Sequence, residues 1–200
     1  MKEDSNSSSI GSNNSALIES IVHMEWEMFQ EVPTDHRYLC QEDPENFRLH
    51  RRAQFAAWSV STLNSYHNDL VRARTAGRNL LAVKYARMDA LLPCENFSWR
   101  IEVILDIAVE GQKHFVARYP RLMKGGRPLN EAEDGSGLTS FATYLRGELE
   151  TYSEMTLELL LDDMLMLQKS GSSLSEVIYS YLSEKWGFYS IDALEKKLQG

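Results

Sequence analysis

The stretch TSFATYLRGELETYSEMTLELLLDDMLMLQK, Thr139 to Lys169, decides the fold class. Its apolar residues recur every three or four positions, the period of one face of an α-helix, and nothing in it alternates as a strand does. Thr139 or Ser140 is a cap-type residue at its start and Gly171 a stop at its end, so the reading predicts one long helix to Lys169. The same period continues in both directions. Downstream, Ser173-Leu-Ser-Glu176 has the form of a capping box for a helix through Tyr181 and Leu182, and a short helix follows Ser190. Upstream, the pattern predicts a helix over Ala16–Gln30 with Ser15 as cap. Asp43-Pro44 opens the next, which runs through Phe47, Phe55 and Trp58, bends near Ser59–Thr62, and continues through Leu63, Tyr66 and Leu70 to Gly77. Leu80–Leu92 follows, stopped by Pro93, and then a helix capped by Ser98 and ending at Tyr119. The expectation is an all-α protein, a single domain of about seven or eight helices over residues 16–200. Residues 1–15, rich in Ser and Asn, are expected to be a disordered tail. Residues 121–138 hold Gly125, Gly126, Pro128, Gly135 and Gly137, and connections this long are often lids or binding loops. No internal repeat is visible.

The chain has 200 residues and a net charge of −8. That length and an apolar fraction of 43% are ordinary for a globular domain and exclude collagen-like or wholly disordered chains. No apolar run is long enough to span a bilayer. The start has no apolar core of a secretory signal, and the two cysteines, Cys40 and Cys94, form no disulfide framework, so the cytoplasm is the expected location. Charge is unevenly placed. From Asn46 to Met88, Arg48, Arg51, Arg52, Arg72, Arg74, Arg78, Lys84 and Arg87 face only Asp69, a balance of +7 against −15 elsewhere. This contrast suits helix faces balanced in space by acidic neighbours, or an anionic partner.

Helical projection places two carboxylates on apolar faces. Glu25 lies among Ile18, Ile21, Val22, Met28 and Phe29, with Trp26 at the border and Glu27 opposite. Glu148 lies among Phe141, Leu145, Tyr152, Met155 and Leu159. Phe47 and Trp58 bracket Arg51 and Gln54, and Arg87 lies beside Tyr85 and Met88. A buried carboxylate needs a partner, a metal or a raised pKa. Three readings follow: a structural ion pair with Arg51, Arg87 or Arg146; a catalytic or cation-recognising pocket; or a carboxylate-bridged metal pair. The last needs Glu-x-x-His, and none of His23, His36, His50, His67 and His114 follows a Glu by three, so no metal is expected. Gly125-Gly126-Arg127 is no phosphate loop.

Several strings carry a resemblance: Trp26-Glu27-Met28-Phe29, Cys40-Gln41-Glu42-Asp43, Gln54-Phe55, Lys84-Tyr85-Ala86-Arg87-Met88, Thr143-Tyr144-Leu145-Arg146-Gly147-Glu148 and Thr151-Tyr152-Ser153. Over residues 16–195 the chain resembles a family catalogued as a domain of unknown function in bacteria and fungi. That family is similar to fungal arginine-containing cyclodipeptide synthases, which join the arginyl group of arginyl-tRNA to a second amino acid. Val83 departs from the acid expected before Lys84-Tyr85. The resemblance implies an aminoacyl transferase of secondary metabolism, with arginyl-tRNA and a second aminoacyl-tRNA or amino acid as partners and no cofactor, because the ester is already activated. Glu148 would be base or guanidinium anchor, with Glu25 or Glu27 in the other role. Tyr85, Tyr144, Tyr152 or Gln54 would donate to the oxyanion, with Trp26 and Cys40 in the substrate site. Arg87 and Arg146 would orient carboxylates or meet the acceptor end. Arg51, Arg52, Arg72, Arg74, Arg78 and Lys84 would meet tRNA phosphates. Cys40, Ser140 and Ser153 are candidate nucleophiles, if a covalent intermediate forms. The rival readings are a non-enzymatic helical module docking an acidic partner through its basic face, and a different small-molecule enzyme using the same pocket.

Overall fold

The computed structural model describes residues 5–33, 42–135 and 139–199, of which 5–13 are described as backbone only. Among these, nine α-helices form: α1 (Ser5–Gln30), α2 (Pro44–Phe55), α3 (Val60–Thr75), α4 (Leu80–Met88), α5 (Trp99–Arg118), α6 (Phe141–Leu149), α7 (Glu154–Lys169), α8 (Leu174–Lys185) and α9 (Ile191–Lys197). The all-α expectation is met, and most of the expected caps are in place. The Asp43 carboxylate accepts from Asn46 N, Ser98 Oγ from Arg100 N, and Ser173 Oγ from Glu176 N.

Three boundaries differ from the sequence reading. Helix α1 begins at Ser5, so Ser15 lies within it and does not cap it. Helix α4 ends at Met88, short of Leu92, because Ala90 turns left-handed (φ +55°) and Leu91 N returns to Ala86 O at 2.8 Å. The long helix is two. After Leu149 the amides of Thr151 and Tyr152 fold back to Glu148 O and Leu149 O, and Ser153 caps a fresh helix through Thr156 N. Hence Met155, expected on the inward stripe, is exposed. The 121–138 connection, where described, is pinned to the start of α6. Phe141 N donates to Pro128 O, and the Asp134 carboxylate accepts from Ser140 N and Thr143 Oγ1.

The structure also contains the internal repeat that the sequence reading missed. Gln54 and Glu148 are 94 positions apart. At that same spacing Phe47, Ser59, Thr62, Leu63, Asp69, Gly77, Leu80 and Tyr85 recur as Phe141, Ser153, Thr156, Leu157, Asp163, Gly171, Leu174 and Tyr179. Helices α3 and α7 begin and end at equivalent residues. The packing repeats too. Helix α1 packs on α2, α3 and α4, and α5 packs on α6, α7 and α8. Between the two four-helix units each contact is returned: α2 packs on α8 and α4 on α6, while α3 packs on its own equivalent α7. The Asp163 carboxylate caps the start of α3, accepting from Ser59 N (2.8 Å) and Thr62 Oγ1 (2.6 Å). The Asp69 carboxylate does the same for α7, through Ser153 N (3.0 Å) and Thr156 Oγ1 (2.6 Å). Reciprocity of this kind is the mark of a two-fold relation. Aligning α1 with α5 by their inward residues pairs Ile18, Ile21 and Val22 with Ile101, Ile104 and Leu105. The apolar core runs through both units, from Ile21, Phe29 and Phe55 to Ile104, Leu149 and Leu157.

Candidate functional site

Four helices bring four ionisable groups together in the core. Glu25 (α1) is 0% exposed, Arg51 (α2) 8%, Lys84 (α4) 5% and Glu148 (α6) 3%. Arg51 holds Glu25 in bidentate fashion, Nε to Oε2 at 2.6 Å and Nη2 to Oε1, and its Nη2 also reaches Glu148 Oε1 at 2.9 Å. Lys84 Nζ donates to Glu148 Oε2 at 2.8 Å. Gln54 accepts from Arg51 Nη1 (2.6 Å) and donates to Glu148 Oε1 (2.9 Å). The hydroxyls of Tyr66 and Tyr152 complete the shell, donating to Glu25 Oε1 (2.7 Å) and Glu148 Oε1 (2.6 Å). Two carboxylates and two cations leave the assembly neutral, the condition under which charges survive burial. Gly147 sets the approach of α6 to α4: a Cβ there would stand 2.9 Å from Met88 Cγ and 3.2 Å from Lys84 O. The Lys84-to-Met88 and Arg146-Gly147-Glu148 strings thus meet because the second helix must pass close to the first.

Electrostatics fixes the protonation states. Burial alone would raise the Glu148 pKa, but Arg51 and Lys84, by charge and by hydrogen bonds, outweigh it and hold the carboxyl well below the usual range. Burial, reinforced by Glu25 and Glu148, pushes the Tyr66 and Tyr152 phenols well above theirs, so both are donors at neutral pH. The raised-pKa base expected from sequence is therefore absent at Glu148, which is a stable carboxylate.

A small cavity of about 20 Å³ adjoins this network, with Phe47, Tyr85, Tyr144 and Thr151 in its walls. That volume holds about one water molecule. Lys84 Nζ lies 3.6 Å from the centre of the Tyr144 ring, and Arg127 of the long connection lies 4.8 Å from the same centre. Arg127 is tied to Thr139 O at 3.0 Å.

The structure thus gathers Glu25, Arg51, Gln54, Lys84, Tyr85, Tyr144, Glu148 and Tyr152, and separates other expected site residues from them. Glu27 faces away and pairs with Arg74 (2.8 Å) and His23 (3.5 Å). Arg87 pairs with Glu150. Arg146 pairs with Glu102 and Glu131. Trp26 packs on Phe29 and Phe47 with Arg48 over its ring. Cys40 lies outside the described residues. Arg51 and Lys84, expected on a phosphate-binding surface, are interior, because each supplies the counter-charge that a buried carboxylate requires. The other cations of the basic segment, apart from Arg72, are matched by acids outside it: Arg48 by Glu45, Arg52 by Glu19, Arg74 by Glu27, Arg78 by Glu95 and Arg87 by Glu150. The charge contrast is largely intramolecular complementarity. Tyr66, absent from the expected site, belongs to it; its place on the same face as Leu63 and Leu70 gave it the look of an ordinary core residue.

The repeat supplies a comparison inside the molecule. The equivalents of Glu25, Arg51, Tyr66 and Lys84 in the second unit are Ala108, Leu145, Leu160 and Ile178, and Glu148 is answered by Gln54. The same architecture places Ala108, Leu145, Leu160 and Ile178 on one side of its two-fold relation and Glu25, Arg51, Tyr66 and Lys84 on the other, with Gln54 and Glu148 facing each other between them.

Among the described residues no helix is long and apolar enough to cross a membrane, and no group of three or more His, Cys, Asp or Glu is placed to hold a metal ion. Over the described residues, an all-helical fold around a buried ionic network is the class that fold and site define. The sequence belongs to the family described as "Protein of unknown function (DUF4125)", whose model it matches over residues 15–196. No curated protein and no solved structure matches it.

Proposed function

We propose that the buried network is the active site of an aminoacyl transferase that makes a cyclic, arginine-containing dipeptide from arginyl-tRNA. One observation carries the assignment of a site: the fold offers the place twice and fills it with charge once. Replacing buried ion pairs by apolar groups of similar size is often neutral or stabilising, so stability alone gives no reason to keep Glu25, Arg51 and Lys84 where Ala108, Leu145 and Ile178 serve next door. The reaction itself rests on the resemblance of the strings that meet here.

In this reading the α-amine of a second aminoacyl ester attacks the arginyl ester carbonyl, so that a C–N bond forms and the ester C–O bond breaks with the first tRNA hydroxyl taking a proton; the arginyl α-amine then attacks the second ester carbonyl, closing the ring and releasing the second tRNA hydroxyl in the same way. An α-amino group with a pKa of about 7.7–8.0 is partly neutral at pH 7, so no strong base is needed. Glu148 then serves as anionic seat for a cationic nitrogen, and Lys84 as the charge beside the developing oxyanion. A cavity of one water does not admit an aminoacyl group, so Tyr144 and Arg127 swing aside for the substrate. Arg72, Arg74 and Arg78 at the exposed end of α3 are the cations left to meet phosphate, since surface pairs such as Arg74–Glu27 are weak enough to exchange.

The test is incubation of the purified chain with arginyl-tRNA and mixed aminoacyl-tRNAs and amino acids. Mass spectrometry then seeks an RNase-sensitive product with the mass of arginine plus a second amino acid less two waters. Its appearance, and its loss in a folded Lys84→Met variant, supports the reading. Intact arginyl-tRNA and no product overturns it.

A further inference from the structure

A second pair of places related by the repeat differs in another way. In the first unit a cleft of about 170 Å³ is lined by Met24, Glu27, Met28 and Glu31 of the α1 segment and by Arg74, Gly77, Arg78 and Asn79 beyond α3. Every one of these residues has its equivalent in the lining of a larger cleft of about 400 Å³ in the second unit, between α5 and the α7–α8 junction. Met28 becomes Gly111, where α5 passes so close to Ser173 that a Cβ would stand 2.9 Å from its Cβ. One exchange opens the second cleft. Arg74, which closes the first cleft through Glu27 at 2.8 Å, becomes the shorter, uncharged Gln168. Glu110, the equivalent of Glu27, is kept; its ion pairs are with Lys113 and with His114, which also lines the cleft, and not with a residue of the α7–α8 side, while Arg118 at the rim is held by Glu176.

We propose that the cleft between α5 and the α7–α8 junction binds a small alkylguanidinium ligand. The first unit shows the chemistry of the occupant. There an arginine head meets a glutamate across the cleft. In the second unit that head is gone, the glutamate stays, and Ile107, Met164 and Leu174 form an apolar floor beside it. A ligand with a planar cationic head on a short alkyl stem replaces the arginine, its head on Glu110 and its stem on the floor. A cleft of 400 Å³ is of the size that small-molecule sites occupy. It shares no residue with the buried network, so this inference stands apart from the proposed transferase activity.

The test uses the full chain labelled with 15N and titrated with n-butylguanidinium, with neutral N-butylurea as control. Saturable shifts confined to α5 and the α7–α8 junction are expected, with the urea about three- to fivefold weaker, the range of one exposed charge pair. Glu110→Gln is expected to weaken the guanidinium by the same factor and leave the urea unchanged. Gln168→Arg, which rebuilds the closing pair of the first unit, is expected to abolish both. Both residues line the surface, so the variants fold. Equal binding of guanidinium and urea, undiminished binding by Glu110→Gln or by Gln168→Arg, or no saturable shift in the wild type overturns the proposal.

Discussion

Gln54 and Glu148 occupy equivalent positions in the two units and are hydrogen-bonded to each other, Nε2 to Oε1 at 2.9 Å. The two-fold relation therefore passes through the network, and one member of the pair is an amide where the other is a carboxylate. Two facing carboxylates 3 Å apart cannot both ionise. Gln54→Glu should accordingly hold a proton that an exposed glutamate would have lost. Its folded-state pKa is raised, so its penalty is absent at low pH and grows as pH rises. Thermal melts should show a larger deficit against wild type at pH 8 than at pH 5. An equal deficit at both would mean that the new carboxylate escapes the network.

Single and concerted replacements should part company. Glu148→Gln leaves Arg51 and Lys84 buried with too little counter-charge, and breaking a buried pair costs about 3–5 kcal/mol. Introducing at each position the residue of its repeat equivalent (Glu25→Ala, Arg51→Leu, Tyr66→Leu, Lys84→Ile, Glu148→Gln) removes both signs at once. That variant should denature within about 2 kcal/mol of wild type while losing activity. Denaturant titration decides. A concerted variant less stable than the single one would make the network a structural requirement and remove the argument for a functional site.

Fold class, most of the caps and the inward direction of Glu25 and Glu148 were legible in the sequence, because helical period and cap chemistry are local. The choice of Arg51 among Arg51, Arg87 and Arg146 was not, because which cation meets a buried carboxylate depends on how the helices pack. The split at Ser153 was not, because a serine within an apolar period looks the same whether the helix runs on or restarts; the cross-unit Asp69 contact decides it. Nor was the repeat, since its identities lie at caps, turns and core positions, and the connection of α5 to α6 is longer than that of α1 to α2. The basic segment misled for the reverse reason: its charges are adjacent in sequence, but the acids that match them lie on α1, at the start of α2, between α4 and α5, and at the end of α6.

Arg51 fills a guanidinium site built by the protein itself, with two carboxylates, an amide and the Phe55 ring 4.7 Å from its centre. Arg51→Gly should be strongly destabilised and then partly restored by free guanidinium. Millimolar guanidinium sulfate should raise its melting temperature while leaving wild type unchanged. A rise in wild type as well would show a general salt effect.

The pH limits of stability follow from the two directions of shift. Glu148 is depressed in the folded state, so its contribution is complete above the ordinary glutamate pKa of about 4.3 and is lost as pH falls toward its folded value. Tyr66 and Tyr152 are raised, so theirs is complete below about pH 10 and is lost only as pH climbs through their folded values. Wild type should hold a flat plateau between these limits. Tyr152→Phe should keep the acid limb and soften the alkaline one, read by phenolate absorbance during alkaline unfolding.

The reciprocal caps of α3 and α7 offer the last check on the two-fold relation. Asp69 and Asp163 each accept from a cap backbone N–H and a threonine hydroxyl of the opposite unit, at matching distances. Removing either carboxylate exposes an N-terminal amide and loses charge at the positive end of a helix, about 1–2 kcal/mol. Asp69 is the more deeply buried, so Asp69→Ala should cost more than Asp163→Ala. Helices α3 and α7 pack on each other and share these contacts, so the double variant should depart from additivity, measured by a double-mutant cycle in denaturant. Strict additivity would mean that the two caps act independently and that the α3–α7 pair is not the joint on which the units turn.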